Sequence, residues 1–250
     1  MSARQAKSLH DRICVVTGAT RGIGWSVALE LARRGAHVMA VGRTAGALEE
    51  LDDEIKAIGG SATLVQFDLK DMEAIDRLGG AIYERWGRLD GLVANAGLLG
   101  SITPVGHLEP KVWDDVMTVN VTANWRLIRS LDPLLRQSDA GRAVFMSSGA
   151  AHKCRPYWGV YSASKAALDA LVRTYSGELA STAVKANLFN PGPVRTTMRA
   201  QAMPGEDPLS LPHPDEIAPA IVDLVEPDCA ESGKLYDFVQ NRFLDFNVPD

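Results

Sequence analysis

The chain has 250 residues, of which 46% are hydrophobic and 23% charged, and its net charge is −5. That length suits one large α/β domain or two small ones with a full core, and the composition excludes disordered and fibrous classes. The acidic balance argues against a broad nucleic-acid surface, and three cysteines and five histidines, all scattered, form neither a disulfide framework nor a metal clip.

In chain order, residues 1–11 are polar and lack an apolar signal core, so they are expected to be a tail ahead of a single domain over 12–250. No run approaches the roughly 18 apolar residues that a membrane-spanning helix needs, and a soluble cytoplasmic protein is expected. The stretch 12–17 contains Ile-Cys-Val-Val, a short β-branched run that reads as a buried strand and leads into Thr17-Gly18-Ala19-Thr20-Arg21-Gly22-Ile23-Gly24. Val27, Leu29, Leu31 and Ala32 then mark a helix stopped by Gly35. Strands are expected at 37–41, 63–67 and 91–94, with helices at 45–58 and 72–86 between them. The third strand closes on Asp68 and the fourth on Asn95-Ala96-Gly97.

The spacing predicts one long helix over 111–135, bent or ended late by Pro133, with Trp113 and Trp125 in its core face. A fifth strand at 143–146 ends in Ser147-Ser148, and a small-residue helix follows at 161–179. A sixth strand at 184–189 runs into Asn190-Pro191-Gly192-Pro193, then a Pro- and Gly-rich stretch over 203–214, a helix at 216–224 and a last strand at 234–239. Buried strands alternating with amphipathic helices imply a parallel sheet of about seven strands covered on both faces, in one doubly wound Rossmann-type α/β domain.

Two stretches carry chemistry. A glycine-rich turn between a first strand and its helix places backbone N–H groups and a positive helix end against a pyrophosphate. Gly18 permits the tight turn, Gly22 close approach, and Gly24 close packing of helix on strand. Tyr161 and Lys165, four residues apart, share one helix face, with Ser148 thirteen residues before Tyr161. A phenol beside an ammonium and a serine at a strand end is an acid–base arrangement. Ser147 alternates to the opposite face of its strand and reads as structural.

Together these residues resemble the classical short-chain dehydrogenases/reductases, in a poorly characterised bacterial branch. The resemblance implies cofactor contacts from Gly18, Thr20, Arg21, Gly22, Ile23 and Gly24, and from Asp68 and Leu69 at the adenine. It adds Asn95, Ala96 and Gly97 in the strand-stabilising motif, and Pro191, Gly192, Val194 and Thr196 along the nicotinamide. It makes Asn120, Ser148, Tyr161 and Lys165 a catalytic tetrad. Tyr161 is then the general acid/base, Ser148 holds the substrate oxygen, Lys165 also holds the nicotinamide ribose, and Asn120 supports a water relay. It further implies a homodimer or homotetramer built on the long fourth and fifth helices. The chain departs from the family at its last strand, which lacks the frequent Gly-Gly ending.

Cofactor choice follows from charge. The second strand ends Val41-Gly42-Arg43-Thr44 without the acid that takes NAD ribose hydroxyls. Arg43, with Arg21 from the other side, favours a 2′-phosphate, hence NADP(H) over NAD(H). The expected reaction interconverts a carbonyl and a secondary alcohol. A 3-oxoacyl-thioester reductase and a non-catalytic NADP-binding sensor are the alternatives. Substrate contacts are expected from Gly149, Tyr157, Trp158 and Met198, under a short lid at 196–214. The 149–160 loop also carries His152, Lys153 and Arg155, a mixture suited to an anionic or aromatic carbonyl compound, although His152 alone reads as an exposed loop residue. Cys154, between two cations, has the setting of a thiolate but nothing that marks a covalent step. No metal, nucleic acid or membrane partner is expected.

Overall fold

A computed structural model describes residues 8–246. One α/β domain is built on an eight-stranded sheet in the order β3-β2-β1-β4-β5-β6-β7-β8, where β1 is Ile13–Thr17, β2 His37–Gly42, β3 Ser61–Gln66, β4 Gly91–Ala94, β5 Arg142–Met146, β6 Lys185–Asn190, β7 Leu235–Asp237 and β8 Arg242–Leu244. The pairings from β3 to β7 are all parallel; only β8 runs antiparallel, on β7.

Alternation along each strand feeds two cores. Cys14 and Val16 of β1 face helices α1 (Gly22–Arg33), α2 (Ala45–Ala57) and α9 (Pro214–Asp223), where Val27, Leu48, Leu51, Ile217 and Val222 are buried. Ile13 and Val15 face α3 (Met72–Trp86), α5 (Ala123–Leu135) and α7 (Gly159–Glu178), where Ile75, Leu127, Leu131, Leu168 and Val172 are buried. Local signals set the helix ends. Asp71 accepts from the Ala74 N–H at the start of α3, and Gly87 ends it in the left-handed region at φ 68°. Strand order reverses between β1 and β4, and the crevice at the carboxyl ends of these strands is where open α/β sheets bind ligands.

Four differences from the expectations have physical causes. The helix expected over 111–135 is α4 (Pro110–Met117), a π-helical turn Thr118–Thr122, and α5. Periodicity does not disclose one wider turn, and Pro133 lies within α5 without ending it. Trp113 and Trp125 are 41% and 44% exposed, not core, because α4 buries Val116 and the buried stripe of α5 runs through Ala123, Asn124, Leu127, Leu131 and Leu134. The sheet gains β8, three residues long and too short to show alternation. The hairpin is closed by Asn241 at φ 51°, whose Oδ1 accepts from the Tyr236 hydroxyl at 2.6 Å. Within the stretch read as a tail, Leu9 is buried and its N–H donates to the Arg34 carbonyl; residues 1–7 of that stretch lie outside the described residues. Among the described residues, no helix is long and apolar enough to cross a membrane.

Candidate active site

A cleft of about 530 Å³ opens over the carboxyl ends of β1, β2, β4, β5 and β6. Its floor at β1 is the glycine turn. Gly18 and Gly22 hold φ of 67° and 56°, a region closed to most side chains. A Cβ on Gly24 would lie 2.3 Å from the Gly18 carbonyl oxygen, so only glycine lets α1 sit this close to β1. Arg21, the residue before α1, is extended and caps nothing with its side chain, which leaves the first N–H groups of α1 without a side-chain acceptor. An uncapped helix end beside positive-φ glycines fits the pyrophosphate of a dinucleotide.

Asn95 welds β4 to this turn. Its Nδ2 donates to the Thr17 and Gly18 carbonyls at 3.0 and 3.3 Å, while the buried Thr17 hydroxyl accepts from the Asn95 and Ala96 N–H groups at 3.0 and 3.1 Å. At the β2–β3 end of the cleft, Arg43 is 60% exposed at its side chain and its Nη1 lies 3.5 Å from Asp68 Oδ2. Asp68 also accepts from the Lys70 N–H at 2.9 Å. Arg21, Arg43, Asp68 and Leu69 all line the cleft.

The opposite end is made of buried side chains. Lys165 Nζ donates to the Met146 carbonyl at 2.7 Å and lies 5.8 Å from the centre of the Tyr161 ring. Burial pulls the Lys165 ammonium down to about 8, and the carboxylate of Asp169 pulls it back up. Burial pushes the Tyr161 phenol above its usual value, and the Ser148 hydroxyl opposes that. The phenol therefore holds its proton at neutral pH. Asn120, in the π-helical turn, is fully buried and off the cleft surface. Its Oδ1 accepts from the Leu98 N–H at 2.8 Å, and its Nδ2 donates to the Leu98 carbonyl and to Ser164 Oγ, both at 2.9 Å. Ser164 in turn donates to the Tyr161 carbonyl at 2.8 Å, so Asn120 braces the first turn of α7.

Next to Tyr161 the cleft is apolar. Leu99, Tyr161 and Ala202 form a small cluster with Trp158 and Met198, and the Trp158 ring meets Tyr161 edge-on at 6.0 Å. Met198 and Ala202 belong to α8 (Thr197–Ala202), whose first turn is capped by Thr196. Arg199, the arginine at this end, is committed to Glu206 at 2.5 and 2.6 Å.

Of the residues singled out in the sequence, the cleft brings together Gly18, Thr20, Arg21, Gly22, Ile23, Arg43, Asp68, Leu69, Asn95, Ala96, Gly97, Ser148, Trp158, Tyr161, Lys165, Pro191, Gly192, Val194, Thr196 and Met198. Gly24 and Asn120 lie behind its wall. Two residues expected as substrate contacts do not line the cleft: Tyr157 is 56% exposed at φ 74°, and Gly149 donates its N–H to Asn190 Oδ1 at 3.0 Å. His152 is half-exposed and faces Asp169, while Lys153 and Arg155 also stand off the cleft. Cys154 is exposed and likewise off the cleft. Leu99, Arg199, Gln201 and Ala202 were not foreseen; the only signal for them was their place after Gly97 and within the expected lid. Among the described residues, no three His, Cys, Asp or Glu side chains gather as a metal site.

Residues 12–207 match the family model described as short chain dehydrogenase. The chain is 39% identical over 240 residues to the uncharacterized oxidoreductase YciK of Escherichia coli K12, covering 94% of each chain. It superposes with TM-score 0.89 and 38% identity on a short chain dehydrogenase of Escherichia coli CFT073 solved in complex with NADPH, covering 94% of this chain and 99% of that one. It is also 36% identical over 212 residues to a Mycobacterium tuberculosis H37Rv protein named as an uncharacterized NAD-dependent oxidoreductase, covering 79% of this chain and 76% of that one. The chain belongs to the short-chain dehydrogenase family of oxidoreductases.

Proposed function

We propose that the protein is an NADP(H)-dependent reductase and dehydrogenase that interconverts a carbonyl and a secondary alcohol, with Tyr161 as general acid and base. The observation that carries this reading is the juxtaposition, in one cleft, of a proton-bearing buried phenol, a serine hydroxyl and a lysine ammonium with an uncapped helix end shaped for a pyrophosphate. Bound NADPH would supply the hydride to the carbonyl carbon. Ser148 would donate to the carbonyl oxygen and hold it against Tyr161, whose phenolic proton passes to that oxygen as it gains charge. Lys165 would stabilise the phenolate left behind and hold the nicotinamide ribose. Both Nδ2 hydrogens of Asn120 are engaged, while its Oδ1 and its backbone carbonyl each accept one side-chain or loop donor, so a water relay would use a remaining lone pair on one of these two oxygens.

Preference for NADP(H) is supported by Arg43 and Arg21 at the adenine end, by the missing acid at the tip of β2, and by the NADPH held by the Escherichia coli relative. The pairing of Arg43 with Asp68 means that a 2′-phosphate competes with a carboxylate for the guanidinium. Leu99, Trp158, Met198 and Ala202 favour apolar or aromatic carbonyl compounds over small anions, since Arg199 is tied to Glu206. Residues 196–214 serve as the lid. The protein acts in the cytoplasm as a homodimer or homotetramer, a reading that the exposed Trp113 and Trp125 on α4 and α5 support.

A panel of aryl ketones, aliphatic ketones, 2-oxo acids and an acetoacetyl thioester, followed by NADPH absorbance, tests the proposal. The expected result is reduction of aryl or aliphatic ketones, with Trp158→Ala raising their KM about 10-fold, in line with the loss of one aromatic wall. Absence of any NADPH-dependent turnover, in either direction, contradicts it.

A further inference from the structure

Asp169 lies on α7 one turn after Lys165, and no step above uses it. It is buried, and its Oδ1 accepts from Ser147 Oγ at 2.5 Å. Its Oδ2 lies 3.3 Å from His152 Nε2 of α6 (Ala150–Lys153), without completing a hydrogen bond. Ser147 is itself anchored, its N–H donating to the Phe189 carbonyl at 2.8 Å, and the residue before it, Met146, accepts from Lys165 Nζ. Two crossbars therefore tie α7 to the end of β5, immediately before Ser148.

Groups from several elements surround this pair. Tyr161 and Arg173 come from α7, His152 from α6, Ser147 and the Met146 carbonyl from the end of β5, and Asn120 from the π-helical turn. Asp245 and Phe246, after β8, help to close a hollow of about 460 Å³ over His152, Asp169 and Arg173. The Arg173 guanidinium lies 4.4 Å from the centre of the Phe246 ring.

We propose that Asp169 is a positioning residue for the reaction: its buried carboxylate is the countercharge that keeps Lys165 an ammonium beside Tyr161. The proposal rests on the reading that Lys165 serves Tyr161. The hydrogen bond from Lys165 to the Met146 carbonyl supplies no charge, and a buried ammonium without a countercharge loses its proton; within α7 Asp169, one turn on, is the carboxylate on the same buried face. Burial raises the Asp169 carboxyl, and Ser147, His152, Lys165 and Arg173 oppose that rise.

The test is the alkaline limb of kcat/KM for NADPH-dependent reduction, which reports loss of a proton from the coupled pair of Tyr161 and Lys165. Removing a nearby negative charge lets that proton leave at lower pH, so Asp169→Asn moves the limb down by about one pH unit. Ser147→Ala keeps the charge and drops a tether, so it lowers the rate without moving the limb. Should Asp169→Asn not fold, the double variant Ser147→Ala/Asp169→Leu replaces the buried polar pair with apolar volume, a tolerated exchange, and shows the same displacement. A second readout needs no turnover: the pH midpoint of NADPH binding, followed by fluorescence, moves down in the same variants. A limb and a binding midpoint that coincide with wild type in both Asp169 variants overturn the proposal and leave Asp169 a structural tether. A wild-type protein without carbonyl reduction contradicts the proposed function instead, and the binding midpoint still decides the role of Asp169.

Discussion

At the β1–β3 end of the cleft a ligand meets main chain: positive-φ glycines, the free N–H groups of α1 and two arginines at the rim. At the β5–α7 end it meets buried side chains, with Tyr161 and Lys165 held by α7 and Ser148 by the end of β5. Amides fixed by the fold bind an anion with no charged group taken out of water. A buried ammonium and phenol bring reactivity and burden the fold, because each has its proton affinity displaced by burial. The proposed function thus assigns binding to backbone geometry, and chemistry to side chains kept in an unfavourable medium.

Substitutions separate the two ends. Apart from Tyr161 itself, the largest effect is expected from Ser148→Ala, which removes the donor to the developing oxyanion and lowers kcat about 10²–10³-fold with NADPH binding unchanged. Lys165→Met comes next and acts in the opposite sense on stability. The ammonium is depressed from 10.5 to about 8 in the folded protein, so the unfolded chain binds the proton more tightly. The resulting penalty is fully present below pH 8 and vanishes as pH rises through about 8 to 10.5. The inactive Lys165→Met protein should therefore melt higher than wild type at neutral pH, with the gap closing on the alkaline side; a gap independent of pH contradicts the assignment. Arg43→Ala, at the backbone end, is expected to weaken NADPH binding about 10–100-fold, as for loss of a charge-assisted hydrogen bond, and to leave NADH nearly unaffected. Equal losses for both cofactors remove the 2′-phosphate argument.

The same contrast governs what could be read from the residues alone. The β1–β3 end was legible almost atom by atom, because glycine spacing after a strand fixes a backbone shape. Asn120, Ser148, Tyr161 and Lys165 stood out through a family resemblance, and Tyr161 and Lys165 also through a helical spacing. What surrounds them was not. The π-helical turn leaves no mark on hydrophobic periodicity, yet it buries Asn120 against Leu98 and Ser164. The tie between Ser147 and Asp169 joins residues 22 apart and depends on how α7 docks. The loop cations expected at the substrate turned out to stand away from the cleft, since His152 faces Asp169 rather than Tyr161. Aromatic Trp158 is the loop residue that reaches the site.

The division of labour is tested most directly by Tyr161→Phe, measured for NADPH affinity and for carbonyl reduction in the same preparation. The substitution deletes one hydroxyl from a buried ring and touches nothing at the glycine turn. The account predicts NADPH binding within about 3-fold of wild type, which is under 1 kcal/mol, and a loss of turnover of about 10²–10⁴-fold on every carbonyl compound. Turnover that survives in Tyr161→Phe would contradict it.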